Sequence, residues 1–184
     1  MEVDGAARRR GAGVRIAVIA DTHVPRRAAD LPATAWREIE RADVVIHAGD
    51  VTAPQFLQRV RDRSAEVIAV RGNNDRELGA LPERVEAALA GASVAVVHDA
   101  GPASGRRARL RRLFPEARVV VFGHSHIPLL DDDGDLLMLN PGSPTDRRRM
   151  PTFTMATLVA RDGAIEDARI VDLGLERAPR AQAS

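Results

Sequence analysis

Five short groups of aspartate, asparagine and histidine recur along the chain, each after a run of apolar and β-branched residues. Their first members are 29, 23, 25 and 26 residues apart, about one strand plus one helix. In chain order the groups contain Asp21, His23, Asp50, Asn73, His98, His124 and His126. This mixed nitrogen and oxygen set suits manganese, iron, zinc, nickel or cobalt better than calcium or magnesium. The 184 residues include no cysteine, which excludes thiolate zinc sites, disulfides and cysteine nucleophiles.

Bringing these groups together would place Asp21 and Asp50 among several imidazoles. Without cations, crowding would raise the pKa of the carboxyl groups and lower that of the histidines. Two divalent metals remove this cost. We therefore expect two sites that share Asp50 as a bridging carboxylate. The first comprises Asp21, His23, Asp50 and His126, and the second comprises Asp50, Asn73, His98 and His124.

The elements that must position these residues alternate in type. Short β-branched runs predict strands at Val14–Ala20, Asp43–Ala48, Glu66–Val70, Ser93–Val97 and Val119–Phe122. Helical spacing of apolar residues between and beside them predicts helices at Leu31–Ala42, Pro54–Arg63, Pro82–Ala90 and Arg106–Phe114. This alternation is typical of an α/β sheet whose active site lies at the carboxyl ends of the strands. We expect the five strand ends to meet at one edge of a sheet.

The second half of the chain has a different pattern. Strands are predicted at Pro128–Asp132, Leu136–Asn140, Phe153–Ala160 and Ala164–Leu173, with hairpin turns at Asp133-Gly134 and Asp162-Gly163. They favour an antiparallel second sheet packed against the first. We predict one domain over residues 14–175, a mobile arm at 1–13 and a tail at 176–184.

Charge and hydropathy limit the partners. The 27 basic residues, all arginine, nearly balance 26 acidic ones, and a net charge of +1 does not indicate a general nucleic-acid or membrane surface. No apolar stretch reaches the roughly 20 residues of a membrane helix, and the first residues lack the apolar run of a signal peptide. We therefore predict a cytoplasmic protein, and leave open whether it forms a homo-oligomer.

The motifs D-x-H, G-D, G-N-x-D, H and G-H-x-H, in this order at strand ends, resemble the calcineurin-like metallophosphoesterase superfamily. The length, the HAGD segment His47–Asp50 and the NPGS segment Asn140–Ser143 look most like its small YfcE-type phosphodiesterase branch. The resemblance covers residues 14–173. It implies a two-sheet β sandwich flanked by helices, in four αββα layers, and the same division of ligands with Asp50 bridging.

The function implied by this resemblance is binuclear metal-dependent hydrolysis of a phosphodiester by a metal-bridging hydroxide. The substrate would be a small phosphodiester or nucleotide-like molecule. Asp50, Asn73 and His124 form the expected catalytic set. The cofactors would be two divalent transition metal ions, with manganese favoured and iron, nickel, cobalt or zinc as alternatives. Rival hypotheses are a non-catalytic scaffold, as in a retromer subunit of this fold, and a phosphomonoesterase or nucleotidase.

Several residues near these motifs have both a structural and a functional interpretation. His47 is expected to be a packed, hydrogen-bonded histidine, and Asp75 either orients a ligand imidazole or caps a following helix. Asp99, where the branch usually has glycine, is expected to narrow the site's mouth or alter its loop. Asn74 replaces a histidine that many superfamily members use as a general acid, which favours substrates with good leaving groups. For some arginines a solvated surface is favoured over binding of a phosphate: Arg26, Arg76, Arg147, Arg148, Arg149 and the outward face of Arg106–Phe114.

Overall fold

Two five-stranded sheets packed face to face form the centre of the computed structural model, which describes residues 13–175. The elements in chain order are β1 (Val14–Ile19), α1 (Ala33–Glu40), β2 (Val44–His47), α2 (Pro54–Asp62), β3 (Val67–Ala69), β4 (Arg84–Leu89), β5 (Ala92–Val97), α3 (Arg106–Leu113), β6 (Val119–Val121), β7 (Leu129–Asp132), β8 (Leu137–Asn140), β9 (Thr154–Arg161) and β10 (Ala164–Asp172). The predicted arm, except for residue 13, and the predicted tail lie outside the described residues.

The first sheet has the order β10-β9-β1-β2-β3. Strands β1, β2 and β3 are parallel, and β9 runs antiparallel beside β1. Along β1, Ile16 and Val18 face the second sheet, whereas Ala17 and Ile19 face the helices, because successive side chains of a strand point to opposite faces. A strand covered on both sides needs a continuous apolar run, which explains the sequence of β1.

The second sheet has the order β4-β5-β6-β8-β7. Strands β5, β6 and β8 are parallel, with β4 and β7 antiparallel at the edges. Helices α1 and α2 cover the outer face of the first sheet, and α3 covers that of the second through Leu110. These layers confirm the predicted αββα sandwich. No helix among residues 13–175 is long and apolar enough to cross a membrane.

The predicted helix Pro82–Ala90 is wrong, because this segment contains strand β4. The alternation of exposed and part-buried residues along β4 has a period of two, and Ala90-Gly91 turns the chain back into β5 with positive φ at both residues. Glutamate and alanine favour helices as isolated residues, but pairing with β5 overrides this weak preference.

The predicted grouping of strands into sheets is also wrong. Strands β5 and β6 belong to the second sheet, the β9–β10 hairpin completes the first, and the second sheet is mixed. A buried strand shows the same apolar run whichever sheet it enters, so its composition identifies the strand and not its neighbours. The five predicted strand ends therefore come from two sheets.

Candidate metal centre

The loops after β1, β2, β3, β5 and β6 meet at one end of the sandwich, and they bring the predicted ligands together. Contacts of 3.0–3.6 Å connect all seven side chains into one network. In order of contact, the network runs through Asp21, His126, His23, Asp50, His98, Asn73 and His124. The site is thus built from both sheets, at the end where their parallel strands finish.

One group of donor atoms surrounds His126. Its Nε2 lies 3.4 Å from His23 Nε2 and 3.4 Å from Asp21 Oδ1. His23 Nε2 in turn lies 3.6 Å from Asp50 Oδ2. Two imidazole nitrogens and two carboxylates therefore converge on one small volume, an arrangement that suits a shared cation.

A second group surrounds Asn73. Its Oδ1 lies 3.0 Å from His98 Nε2 and 3.0 Å from His124 Nδ1. His98 Nε2 lies 3.6 Å from Asp50 Oδ1. Asp50 thus presents one carboxylate oxygen to a histidine of each group. Asp21 also lies between the groups, since its carboxylate, that of Asp50 and His98 have ligand atoms within 4.8 Å of one another.

Backbone carbonyls set the protonation of two of these rings. His98 Nδ1 lies 2.8 Å from the Ala48 carbonyl oxygen, and His126 Nδ1 lies 2.6 Å from that of Asp146. A carbonyl only accepts, so each Nδ1 carries the proton and donates it. Each Nε2 then directs a lone pair into the site, as a metal-ligating histidine must.

The Asp21 carboxylate shows that the site fits a cation. Its side chain is 0% exposed, and neither oxygen accepts a hydrogen bond from any described residue. Burying a carboxylate without such partners is costly unless a positive charge compensates it. Together with the imidazole lone pairs, Asp21 makes a donor set suited to a divalent transition metal ion.

Burial and neighbouring groups shift three pKa values in the site. Burial lowers the pKa of His23. Burial would raise the pKa of Asp50, but hydrogen bonds from the side chain and backbone of Asn74 outweigh it and lower that pKa. Burial opposes protonation of His126 as well, yet contact with Asp21 and the Asp146 carbonyl raises its pKa. The centre therefore favours an ionised Asp50 in a buried setting.

The sequence around this site matches a known protein family. Residues 14–163 match the model of the calcineurin-like phosphoesterase superfamily domain. The chain belongs to the calcineurin-like phosphoesterase superfamily. A probable metallophosphoesterase of Methanocaldococcus jannaschii is 40% identical over 138 residues, which cover 73% of this chain and 70% of the relative.

Solved structures of the superfamily fold are similar over most of this chain. Vacuolar protein sorting 29 of Cryptosporidium parvum has a TM-score of 0.71 at 20% identity, covering 89% of this chain and 99% of that protein. An archaeal phosphodiesterase has a TM-score of 0.66 at 19% identity, covering 86% and 99%. At this identity both similarities show the fold alone.

Asp75, the last residue of the G-N-x-D motif, holds the backbone of this superfamily site. Its carboxylate accepts N–H groups from Asp50 at 2.9 Å, Thr52 at 2.7 Å and Gly72 at 2.7 Å. No helix follows it before β4, and its described hydrogen bonds reach no imidazole. Both sequence-based interpretations of Asp75 are therefore wrong. Its burial and three backbone donors make it the link between the loops after β2 and β3.

His47 and Asp99 lie beside the candidate ligands and have structural contacts. His47 is fully buried with Nε2 3.0 Å from Thr22 Oγ1, which confirms the packed interpretation. Asp99 is exposed, and its Oδ1 accepts the Gly101 N–H at 2.7 Å, so it stabilises its own turn. His98 beside it is only 5% exposed and reaches both Asp50 and Asn73.

The NPGS segment and the nearby Thr145 form hydrogen bonds that position the loops of the site, which the motif alone did not predict. Ser143 Oγ donates to the Asp21 carbonyl at 2.8 Å, and Thr145 Oγ1 donates to that of Thr22. Asn140 Nδ2 donates to the Gly123 carbonyl at 2.8 Å. This segment therefore joins the loop after β1 to the loop after β6, and so links the two sheets at the site.

Proposed function

We propose that this metallophosphoesterase hydrolyses phosphodiester bonds with two divalent metal ions, using the catalytic set Asp50, Asn73 and His124. The supporting observation is the Asp50 carboxylate, whose two oxygens face His23 in one donor group and His98 in the other at 3.6 Å each. A carboxylate with this orientation suits a bridging ligand between two ions. Manganese is the favoured metal, with iron, nickel, cobalt or zinc as alternatives.

The ligands divide into a buried side and an open side. Asp21 and His126 are buried, whereas Asn73 and His124 are exposed. When bound, such ions would supply an activated water molecule as the nucleophile and positive charge against the phosphoryl oxygens. Asn73 contributes an oxygen without negative charge, which leaves the open side attractive to an anionic substrate. His124 lies on the same side, with Nδ1 3.0 Å from Asn73 Oδ1.

Asn74 favours diesters with good leaving groups. Its amide donates to Asp50 Oδ2 at 2.6 Å and its backbone N–H donates to Oδ1 at 2.8 Å. An amide can orient this carboxylate, but it cannot act as a general acid toward a leaving oxygen. General acid catalysis typically contributes about 10² to 10⁴-fold, so activated aryl esters should react far better than alkyl esters.

Hydrolysis of bis(4-nitrophenyl) phosphate compared with 4-nitrophenyl phosphate, by manganese-loaded protein, tests the proposal. We expect the diester to be preferred and Asp50→Asn to lower its rate of hydrolysis by about 100-fold or more. Loss of a residue that only supports a metal ligand already costs about 10- to 100-fold, and loss of a ligand should cost at least as much. Asp99→Asn is the matched control, because Asp99 lies beside a ligand but, among residues 13–175, its side chain bonds only within its own turn.

Two results would favour the rival functions. Equal trace activity of wild type and Asp50→Asn with every metal would support a scaffold on the same fold. Preference for the monoester would support a phosphomonoesterase or nucleotidase.

A further inference from the structure

Two arginine-rich loops, residues 23–27 and 145–150, lie side by side at the His23 and His126 end of the site. Arg27 Nε lies 3.5 Å from Asp146 Oδ2, which pairs the loops. The Asp146 carbonyl accepts the Nδ1–H of His126 at 2.6 Å, and Thr145 Oγ1 donates to the Thr22 carbonyl. Side chains on both loops therefore emerge next to metal-ligand candidates.

The two loops carry an unusual concentration of positive charge. They contain five arginines and one aspartate, a net charge of +4, whereas the whole chain has +1. Arg27 pairs with Asp146, and Arg147 donates to the Met150 carbonyl. The remaining three are exposed and have no hydrogen bond or ion pair with residues 13–175: Arg26, Arg148 and Arg149. By contrast, most arginines around α3 are paired, as Arg107 and Arg111 are with Asp133.

Arg148 lies two residues after Asp146, whose carbonyl accepts the Nδ1–H of His126 at 2.6 Å. Arg148 adopts φ +47° in a turn that the Met150 N–H closes on the Arg147 carbonyl at 2.8 Å.

We propose that Arg26 and Arg148 bind a second phosphoryl group of the substrate, beyond the phosphodiester that reacts. The guanidinium fork matches phosphate oxygens in two hydrogen bonds, and a dianion would neutralise charge that these loops leave unpaired. The substrate class is then a nucleotide-like diester with an additional terminal phosphate. This inference rests on the proposed phosphodiesterase function for the reacting group, but the second group can be tested by binding alone.

Binding is measured by calorimetry on manganese-loaded protein with thymidine 3′,5′-bisphosphate and thymidine 5′-monophosphate. We expect the bisphosphate to bind at least 10-fold more tightly at low salt, and the ratio to fall as ionic strength rises. The double variant Arg26→Gln/Arg148→Gln should reduce the ratio to near one. Arg112→Gln, which removes an exposed arginine of α3 without a partner in the described part of the chain, should preserve it. Equal binding of the two nucleotides to wild type, or an unchanged ratio in the double variant, would overturn the inference.

A matched kinetic pair separates this inference from the proposed function. The 4-nitrophenyl ester of thymidine 5′-phosphate and its 3′-phosphorylated form have the same leaving group. We expect a higher kcat/KM for the second, lost in the double variant and retained in Arg112→Gln. If neither ester is hydrolysed while the binding ratio behaves as expected, the phosphodiesterase proposal fails and the second-phosphate site stands. If both are hydrolysed equally by wild type, the second-phosphate site fails and the phosphodiesterase proposal stands.

Discussion

At the scale of single residues, left-handed backbone conformations aim the side chains of the site. Positive φ values between 46° and 75° occur in the site loops at Asp21, His23, Asp50, Thr52, His124 and His126. Non-glycine residues rarely adopt this conformation, although aspartate and histidine tolerate it better than most. In D-x-H and H-x-H both outer residues have it, so two side chains separated by one residue turn toward the same centre. The spacing in these motifs therefore reflects backbone geometry as well as ligand chemistry.

The glycine in each G-D, G-N and G-H motif leaves room for a ligand of another loop. A Cβ atom on Gly49 would lie 2.5 Å from His98 Nδ1, and one on Gly72 would lie 2.2 Å from Asp50 Oδ1. A Cβ atom on Gly123 would lie 2.8 Å from Asp21 Oδ2. Each motif thus pairs a candidate ligand with a glycine that leaves space for a candidate ligand of another loop.

Gly72→Ala should damage the centre without adding or removing any polar group. The new methyl group would force the Asp50 carboxylate away from His23 and His98. We therefore expect the affinity for manganese to fall by about 10- to 100-fold. Manganese titration followed by elemental analysis measures it. Gly79→Ala is the control, since Gly79 has no atom within 4 Å of the added Cβ. Equal metal affinity in the two variants would show that Asp50 need not keep its position.

At the scale of elements, the sequence predicted the strands next to the site better than their arrangement. Strands β1, β2, β3, β5 and β6 were all expected, because each is a short apolar run directly before a polar group. The β4 segment was not, since Val85, Ala88 and Leu89 also fit one face of a helix and only pairing with β5 distinguishes the two. All seven candidate ligands come together as expected from their motifs. The role of Asp75 could not be predicted, because its partners are backbone N–H groups of a loop about 25 residues away.

Arginines of helix α3 hold the loop that follows His98, although the sequence favoured a solvated face over a phosphate-attracting patch for this helix. Arg109 donates through Nε and Nη2 to the Ala100 carbonyl at 3.1 and 2.7 Å, and through Nη2 to that of Pro102 at 2.7 Å. Arg106 donates to the Gly101 carbonyl at 2.9 Å. These bonds fix the loop that follows His98, so this part of the helix face is structural.

Arg109→Gln should therefore loosen the loop after His98. It leaves the Ala100 and Pro102 carbonyls without their charged donor, and we expect a loss of about 1.5 to 3 kcal/mol in the free energy of unfolding. Manganese binding should weaken in parallel, because His98 is held less firmly. Urea unfolding and metal titration measure the two effects. Arg112→Gln, on the same helix, should change stability by less than about 0.5 kcal/mol. Unaltered metal binding in Arg109→Gln would show that the loop holds His98 by other contacts.

At the scale of the whole molecule, one end of the sandwich joins both sheets through charged and polar groups, whereas the space between the sheets is apolar. The hydrogen bond from Ser143 to the Asp21 carbonyl crosses from a loop of the second sheet to a loop of the first, and the bond from Asn140 to the Gly123 carbonyl anchors the same segment within the second sheet. A cation shared by ligands of both sheets would strengthen the same junction. Metal binding should thus stabilise the entire fold and not a single loop.

Manganese should raise the melting temperature of protein previously treated with a chelator. At about 100 times its Kd a ligand adds about 2.7 kcal/mol, and for a chain of this size that corresponds to about 5 to 11 °C. Asp21→Asn should lose most of this gain, yet melt at the same or a higher temperature than wild type in chelator, because it removes a buried carboxylate without hydrogen-bond partners. Asp99→Asn is the control and should keep the full gain. A full gain in Asp21→Asn would mean that this carboxylate does not bind the ion.

The pH dependence of stability should reflect His47, which burial keeps neutral. Desolvation lowers the pKa of His47 to about 4, while its ordinary value in an unfolded chain is 6.5. Between these values the unfolded state binds a proton and the folded state does not, so its contribution to stability is complete above pH 6.5 and falls as pH decreases to 4. The loss approaches about 1.4 kcal/mol per pH unit, or about 3 kcal/mol over the window.

His47→Gln removes the titrating group. The difference in the free energy of unfolding between wild type and variant should therefore shrink by about 3 kcal/mol from pH 7 to pH 4. Urea unfolding of both proteins in chelator, at matched pH values, measures the difference while the other histidines cancel. The surroundings support a neutral ring: Nδ1 of His47 has no hydrogen-bond partner among residues 13–175, so a second ring proton would lack an acceptor there. A difference that stays constant with pH would place the acid sensitivity of the fold in the ligand histidines instead.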